Sequence, residues 1–192
     1  LFLSHIEPHQ QNDHNRMEGP EGSKERFASY PLPPDLVGPG DYLENWPDYL
    51  GCVNSLDYNL GRVRQTLAEQ GLADNTLVIY TSDHGCHFHT RKGEYKRSCH
   101  ESSIHVPLVI SGPGFEGGKV VEELVDLMDL PPTLIQAADV DVPETMRGRP
   151  LQELTAGTAR DWRQEHFFQL SETVLGRGVR TARWKYSVAH EG

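Results

Sequence analysis

Leu50, Val53, Leu56, Leu60, Val63 and Leu67 recur at steps of three and four residues, the spacing that lines one face of an α-helix. Pro47 suits a first helical turn and Gly71 a stop, so the pattern predicts a helix over 46–70. After the turn Ala73-Asp74-Asn75, residues 76–81 read Thr-Leu-Val-Ile-Tyr-Thr, apolar and β-branched on both faces like a strand buried inside a parallel sheet. A second such run covers 106–111 and closes at Gly112-Pro113-Gly114, and Asp129-Leu130-Pro131-Pro132 opens a helix to about residue 138. The alternation predicts an α/β domain: a mostly parallel central sheet flanked by helices, with the 46–70 helix on one face.

The flanks read differently. Residues 1–6 suggest a short strand stopped by Pro8, and 10–45 are rich in Gly, Pro, Asn, Glu and His without a period, which predicts a long surface loop. Beyond Pro150, the runs 167–170 and 179–188, around Gly176 and Gly178, read as antiparallel strands of a small appended sheet. A division into 1–150 and 151–192 is therefore expected.

Charge narrows the ligand class. With 18 Lys and Arg against 28 Asp and Glu, the net charge of -10 argues against nucleic acid or an anionic membrane as partner. No apolar run approaches the ~20 residues of a membrane-spanning helix. Any anionic ligand must therefore meet a local positive patch. Cys52, Cys86 and Cys99 are too few for a disulfide framework and read as packing residues.

Such a patch exists. His84, His87, His89, His100 and His105 fall within one stretch that also holds Arg91, Lys92, Lys96 and Arg97. Ligands of open α/β sheets bind beyond the carboxyl ends of the strands, where the 76–81 strand delivers Asp83 and His84. Asp83 offers a hard oxygen and His84 an imidazole nitrogen to a divalent cation, while Gly85 lets the backbone turn closely. Plain turn chemistry accounts for Asp-His-Gly equally well, and Lys96, Arg97 and His9 also read as ordinary loop residues. Tyr95, Phe88 and Trp46 read as packing. The residues alone thus yield an α/β domain with a candidate anion or metal site.

The joint order of the pieces says more. Ser4-His5-Ile6-Glu7-Pro8-His9, Leu56-Asp57 with Gly61, Asp74 through Ser82-Asp83-His84-Gly85, Gly93-Glu94-Tyr95-Lys96, Glu101, Val106-Pro107-Leu108-Val109-Ile110, Gly112-Pro113-Gly114, Asp129-Leu130-Pro131-Pro132-Thr133-Leu134 and the late Val179-Arg180-Thr181 with Trp184-Lys185-Tyr186 together resemble the formylglycine-dependent sulfatases of the alkaline-phosphatase superfamily. The resemblance implies an alkaline-phosphatase-like α/β fold and sulfuric ester hydrolysis with an active-site divalent cation. Asp83 and His84 would be two ligands of that cation, calcium in the family, with manganese or zinc as alternatives that a histidine nitrogen admits. Lys96 would bind the sulfate, and His9 would lie against the ester and assist proton transfer to the leaving oxygen. His9, Asp83, His84 and Lys96 would gather at one site. His87, His89 and Arg91 are candidates to grip a sugar or a second anionic group. The implied partner is a sulfated small molecule or glycan, and the implied location is periplasmic or secreted.

The family's nucleophile is a Cys or Ser in a Pro/Ala-x-Arg-type context, converted to formylglycine, and Cys52-Val-Asn, Cys86-His-Phe and Cys99-His-Glu do not fit it. The family's paired metal-ligand aspartates have no match either. The resemblance therefore implies the second half of such an enzyme, inactive when isolated. A phosphodiesterase or phosphonate monoester hydrolase of the same superfamily remains an alternative, as does a noncatalytic polyanion-binding domain using the His-Arg-Lys segment.

Overall fold

A computed structural model of the chain describes every residue except Lys92, Glu116, Thr173 and Gly192; Lys92, one cation of the expected patch, thus lies outside the described residues. The chain folds as two compact units, Leu1–Ala73 with Cys86–Lys96, and Asp74–Gly85 with Arg97–Gly192. Residues 151–192 therefore share a unit with 97–150.

The first unit holds α1 (Ser23–Phe27) and α2 (Tyr42–Glu69). The second helix begins a turn earlier than the sequence suggested, so Pro47 lies inside it. Its lost hydrogen bond would have gone to Leu43, still in the first turn, where a missing donor disturbs least. The true start is Asp41, whose carbonyl accepts from the Glu44 and Asn45 amides. The segment expected to be a surface loop instead builds the core. Met17, Leu36, Tyr42 and Phe88 form one buried cluster, with Trp46, Tyr49 and Cys86 packed on it. The Asn45 side chain fastens this segment to α2, accepting from the Met17 amide at 2.7 Å and donating to the Asp41 carbonyl at 3.1 Å. Widely spaced apolar residues without a period carry no helix or strand signal, yet they suffice to pin a loop to a helix.

Residues 1–6 form no strand: they are without regular structure and exposed, Leu1, Phe2, Leu3 and Ile6 included. A ladder needs a partner to accept its backbone groups, and none pairs with this segment among the described residues.

The second unit contains β1 (Val78–Thr81), α3 (Glu101–Ile104), β2 (Leu108–Ser111), α4 (Leu130–Ala137), α5 (Gln152–Thr155), β3 (Glu165–Ser171), β4 (Val174–Thr181) and β5 (Lys185–Glu191). The two expected central strands share a sheet, but their pairing is antiparallel: Val78 faces Ser111 and Thr81 faces Leu108. The expectation of a parallel pair fails here because parallel pairing needs a crossover that carries the chain back along the sheet, usually on a helix of ten or more residues. Among the described residues, the stretch between β1 and β2 holds only the four-residue α3, and it returns to the end it left. The appended sheet is as expected: β3, β4 and β5 form an antiparallel meander.

Asp129 ties this unit together. Fully buried, it receives both guanidinium nitrogens of Arg163, at 2.5 and 2.6 Å, and the amides of Asp126 and Arg149, each at 2.8 Å. Four donors for four lone-pair positions leave the buried carboxylate satisfied.

Candidate active-site residues

Beyond β1 the chain makes a tight turn that displays Asp83 and His84. The Ser82 hydroxyl donates to the His84 carbonyl at 2.8 Å, and the His84 amide donates to Asp83 Oδ1 at 2.9 Å. The Gly85 amide donates to the Ser103 carbonyl at 2.8 Å, and a Cβ on Gly85 would lie 2.1 Å from the Ser102 carbonyl oxygen. Only glycine fits there, so the turn is pressed directly onto α3.

His84 Nδ1 lies 2.9 Å from the Gly85 carbonyl. A carbonyl only accepts, which assigns a ring hydrogen to Nδ1; in the neutral ring the lone pair is then on Nε2. Nε2 in turn is 3.6 Å from Asp83 Oδ2, on a carboxylate whose side chain is 85% exposed. A nitrogen lone pair and a carboxylate side by side, with the other ring nitrogen held by a backbone carbonyl, suit a divalent cation. Two donors do not complete a shell, and among the described residues no three His, Cys, Asp or Glu side chains converge on a metal position.

The first unit holds the other pair. His9 Nδ1 is 2.6 Å from the Gln10 carbonyl, which again places the ring hydrogen on Nδ1. Its Nε2 is met by the Tyr95 hydroxyl at 2.8 Å and by Lys96 Nζ at 3.2 Å. Lys96 also lies over the Tyr95 ring, 5.3 Å from its centroid. The fold thus unites a histidine and a lysine 87 positions apart. His9 and Lys96 belong to one compact unit, Asp83 and His84 to the other.

The loop that carries Lys96 is held in an unusual backbone conformation. Phe88 and His89 both adopt positive φ, 50° and 56°, rare for residues other than glycine. Backbone bonds from Asp41 to Phe88, from Thr90 to His87 and from His87 to Tyr95 over-determine it. His89 lies 3.4 Å from the Asp41 carboxylate, and Arg91 is exposed. His87, by contrast, has no exposed surface. A ligand arriving from solvent does not reach it, so His87 leaves the set of candidate sugar-gripping residues and joins those that shape the loop. Two of the thiols are also out of reach of nucleophilic chemistry: burial pushes Cys86 up to about 12 and Cys52 to about 11, where neither is a thiolate near neutral pH. Tyr95, read from the sequence as packing, is a hydrogen-bond partner of the candidate catalytic histidine. No signal in the sequence pointed to this, since its partner lies 86 positions away.

Comparison with known proteins bears on these residues. The chain is 31% identical over 154 residues to arylsulfatase K of Homo sapiens, covering 75% of this chain and 28% of that protein. It is 41% identical over 108 residues to the extracellular sulfatase SULF-1 homolog of Drosophila melanogaster, covering 55% of this chain and 10% of that one. The solved structure of BT4656 with its substrate D-glucosamine-2-N,6-O-disulfate aligns with a TM-score of 0.64 at 29% identity, over 76% of this chain and 32% of that one. The phosphonate monoester hydrolase of Silicibacter pomeroyi aligns with a TM-score of 0.64 at 27% identity, over 88% and 40%. The chain therefore spans less than a third of the length of the arylsulfatase, and it shares the α/β, alkaline-phosphatase-like fold of solved sulfatases. A sequence model for the C-terminal part of N-sulphoglucosamine sulphohydrolase matches residues 92–190. The sulfatase model matches residues 1–140, taking in every candidate residue from His9 to Lys96, and the chain belongs to the sulfatase family.

Proposed function

We propose that the full-length protein hydrolyses a sulfate ester of a small molecule or glycan, and that this chain supplies part of its cation-binding and sulfate-binding machinery. The observation that carries the reading is the seating of Lys96 Nζ 3.2 Å from His9 Nε2. A fixed ammonium beside an imidazole nitrogen is an arrangement for an anion whose ester oxygen must leave with a proton. Lys96 neutralises sulfate oxygens as negative charge gathers on the leaving side, and His9, entering the step with both ring nitrogens protonated, gives its Nε2 proton to the departing alcohol oxygen and is left neutral with the hydrogen on Nδ1. Asp83 and His84 Nε2 would contribute an oxygen and a nitrogen to a divalent cation, calcium being the family's choice, which when bound polarises the sulfate. The nucleophile, a formylglycine in the resemblance, and the remaining cation ligands belong outside this chain. Arg91 and His89 stand as candidates for contacts to the rest of the substrate.

In the full-length protein, Lys96→Ala should lower kcat/KM for an aryl sulfate by about 10²–10³, and Asp83→Ala should abolish turnover in a way that added calcium does not restore. Wild-type rates in both variants would sink the reading. The 27% identity to a phosphonate monoester hydrolase favours a second reading, phosphonate ester hydrolysis on the same residues; rates on matched aryl sulfate and aryl phosphonate esters decide between them. The extracellular relative supports export from the cytoplasm, which fractionation of the native host tests.

A further inference from the structure

We infer that Tyr95 is the positioning residue for His9; the inference rests on the hydrolase reading above. The Tyr95 ring is buried and meets the His9 ring edge-on, with centroids 5.6 Å apart and planes at 89°. Its hydroxyl lies 2.8 Å from His9 Nε2. The opposite nitrogen, Nδ1, is held by the Gln10 carbonyl at 2.6 Å. The imidazole is therefore pinned at both nitrogens and along one edge, and neither ring flip nor swing is available without breaking a bond.

The chemistry of the partner matters as much as its place. An ammonium has only hydrogens to offer, so Lys96 serves His9 only while Nε2 carries a lone pair, and a sulfate oxygen competes for the same ammonium. A phenolic hydroxyl both donates and accepts. Tyr95 donates to Nε2 in the neutral ring and, after rotating its hydrogen, accepts from Nε2–H in the protonated ring. It holds the imidazole through a proton cycle that Lys96 cannot follow. The Tyr95 backbone is fixed independently, its carbonyl accepting from the His87 amide at 2.8 Å beneath the positive-φ turn. The strained loop and the histidine are thereby joined through one side chain.

The test is Tyr95→Phe, which keeps the ring and removes the hydroxyl, in the full-length protein. The expected result is a kcat lower by about tenfold with KM within about twofold, since orientation in the transition state rather than ground-state affinity is lost. In nitrogen-15 spectra of the histidine ring, the His9 Nε2 resonance should move as it loses the hydroxyl hydrogen bond, while the Nδ1–H held by the Gln10 carbonyl stays in place. In a His9→Gln background, Tyr95→Phe should add nothing, because Tyr95 acts through His9. Unchanged His9 ring signals in Tyr95→Phe would overturn the inference, as would a full additional loss in the double variant or an unaltered kcat. A wild-type protein inert toward sulfate esters would instead defeat the hydrolase reading, and the ring signals tell the two failures apart because they report the Tyr95 contact without turnover.

Discussion

A single methyl group probes the turn that displays Asp83 and His84. At Gly85 the added carbon would stand 2.1 Å from the Ser102 carbonyl oxygen and 3.0 Å from its carbon, and backbone cannot step aside as a flexible side chain can. Gly85→Ala should destabilise the chain by about 1–3 kcal/mol, read as a lower urea midpoint. A neutral outcome would mean that the turn does not rest on α3. Asp83 and His84 were legible because a turn after an apolar run is local information. Tyr95 was not, because its partner lies 86 positions away and a tyrosine beside a lysine carries no mark of what its hydroxyl will meet. His87 failed for the converse reason: five histidines in one stretch look alike in sequence, and only burial separates a scaffold from a contact.

Among the elements, those with a strong period were found and those whose sense depends on partners were not. The apolar steps from Leu50 to Leu67 announced α2, although Pro47 drew the start too far along, past the Asp41-x-x-Glu44 pattern that marks it. The runs forming β1 and β2 were recognisable as strands, but a stretch apolar on both faces reads the same in either direction, so their antiparallel pairing was hidden. The joint around α4 makes two predictions. Asp129→Ala leaves the Arg163 guanidinium and two amides without their acceptor, so the loss should reach about 3–5 kcal/mol, well above that of a surface Asp→Ala; a loss under about 1 kcal/mol would refute the joint. Asp126 carries the second. Burial raises its pKa, but hydrogen bonds from His166 and the Met128 amide, with the charges of His166 and Arg163, leave it below its ordinary 3.8. A carboxyl with a depressed folded value stabilises fully above its unfolded pKa and loses that contribution as pH falls through the folded one. Stability should therefore fall below pH ~3.8, and Asp126→Asn should flatten that limb of the stability–pH curve; an unchanged limb would show that the ion pair with His166 is not responsible.

For the molecule as a whole, the resemblance and the distribution of residues lead to the same expectation. The sequence holds no cysteine or serine in the formylglycine context, and two cation donors do not displace the water of calcium, which takes about six to eight oxygens. The isolated chain should show no hydrolysis of an aryl sulfate with calcium added, where the full-length protein does; turnover by the chain that vanishes in Lys96→Ala and Asp83→Ala would contradict this. What the sequence conveyed at this scale was family and class. The order of the strands and the division into compact units depend on long-range contacts that no window of residues contains.

That division bears on how the protein is made. Phe88, which closes the cluster of Met17, Leu36 and Tyr42, and Tyr95, which meets His9, arrive with Cys86–Lys96, after the chain has already spelled out β1. On a ribosome the first unit would therefore wait, its core open on one side, until residue 96 has cleared the exit tunnel. Nascent chains arrested with the sequence exposed through residue 73 should be cut readily by protease near Met17 and Leu36, and those exposed through residue 96 should resist.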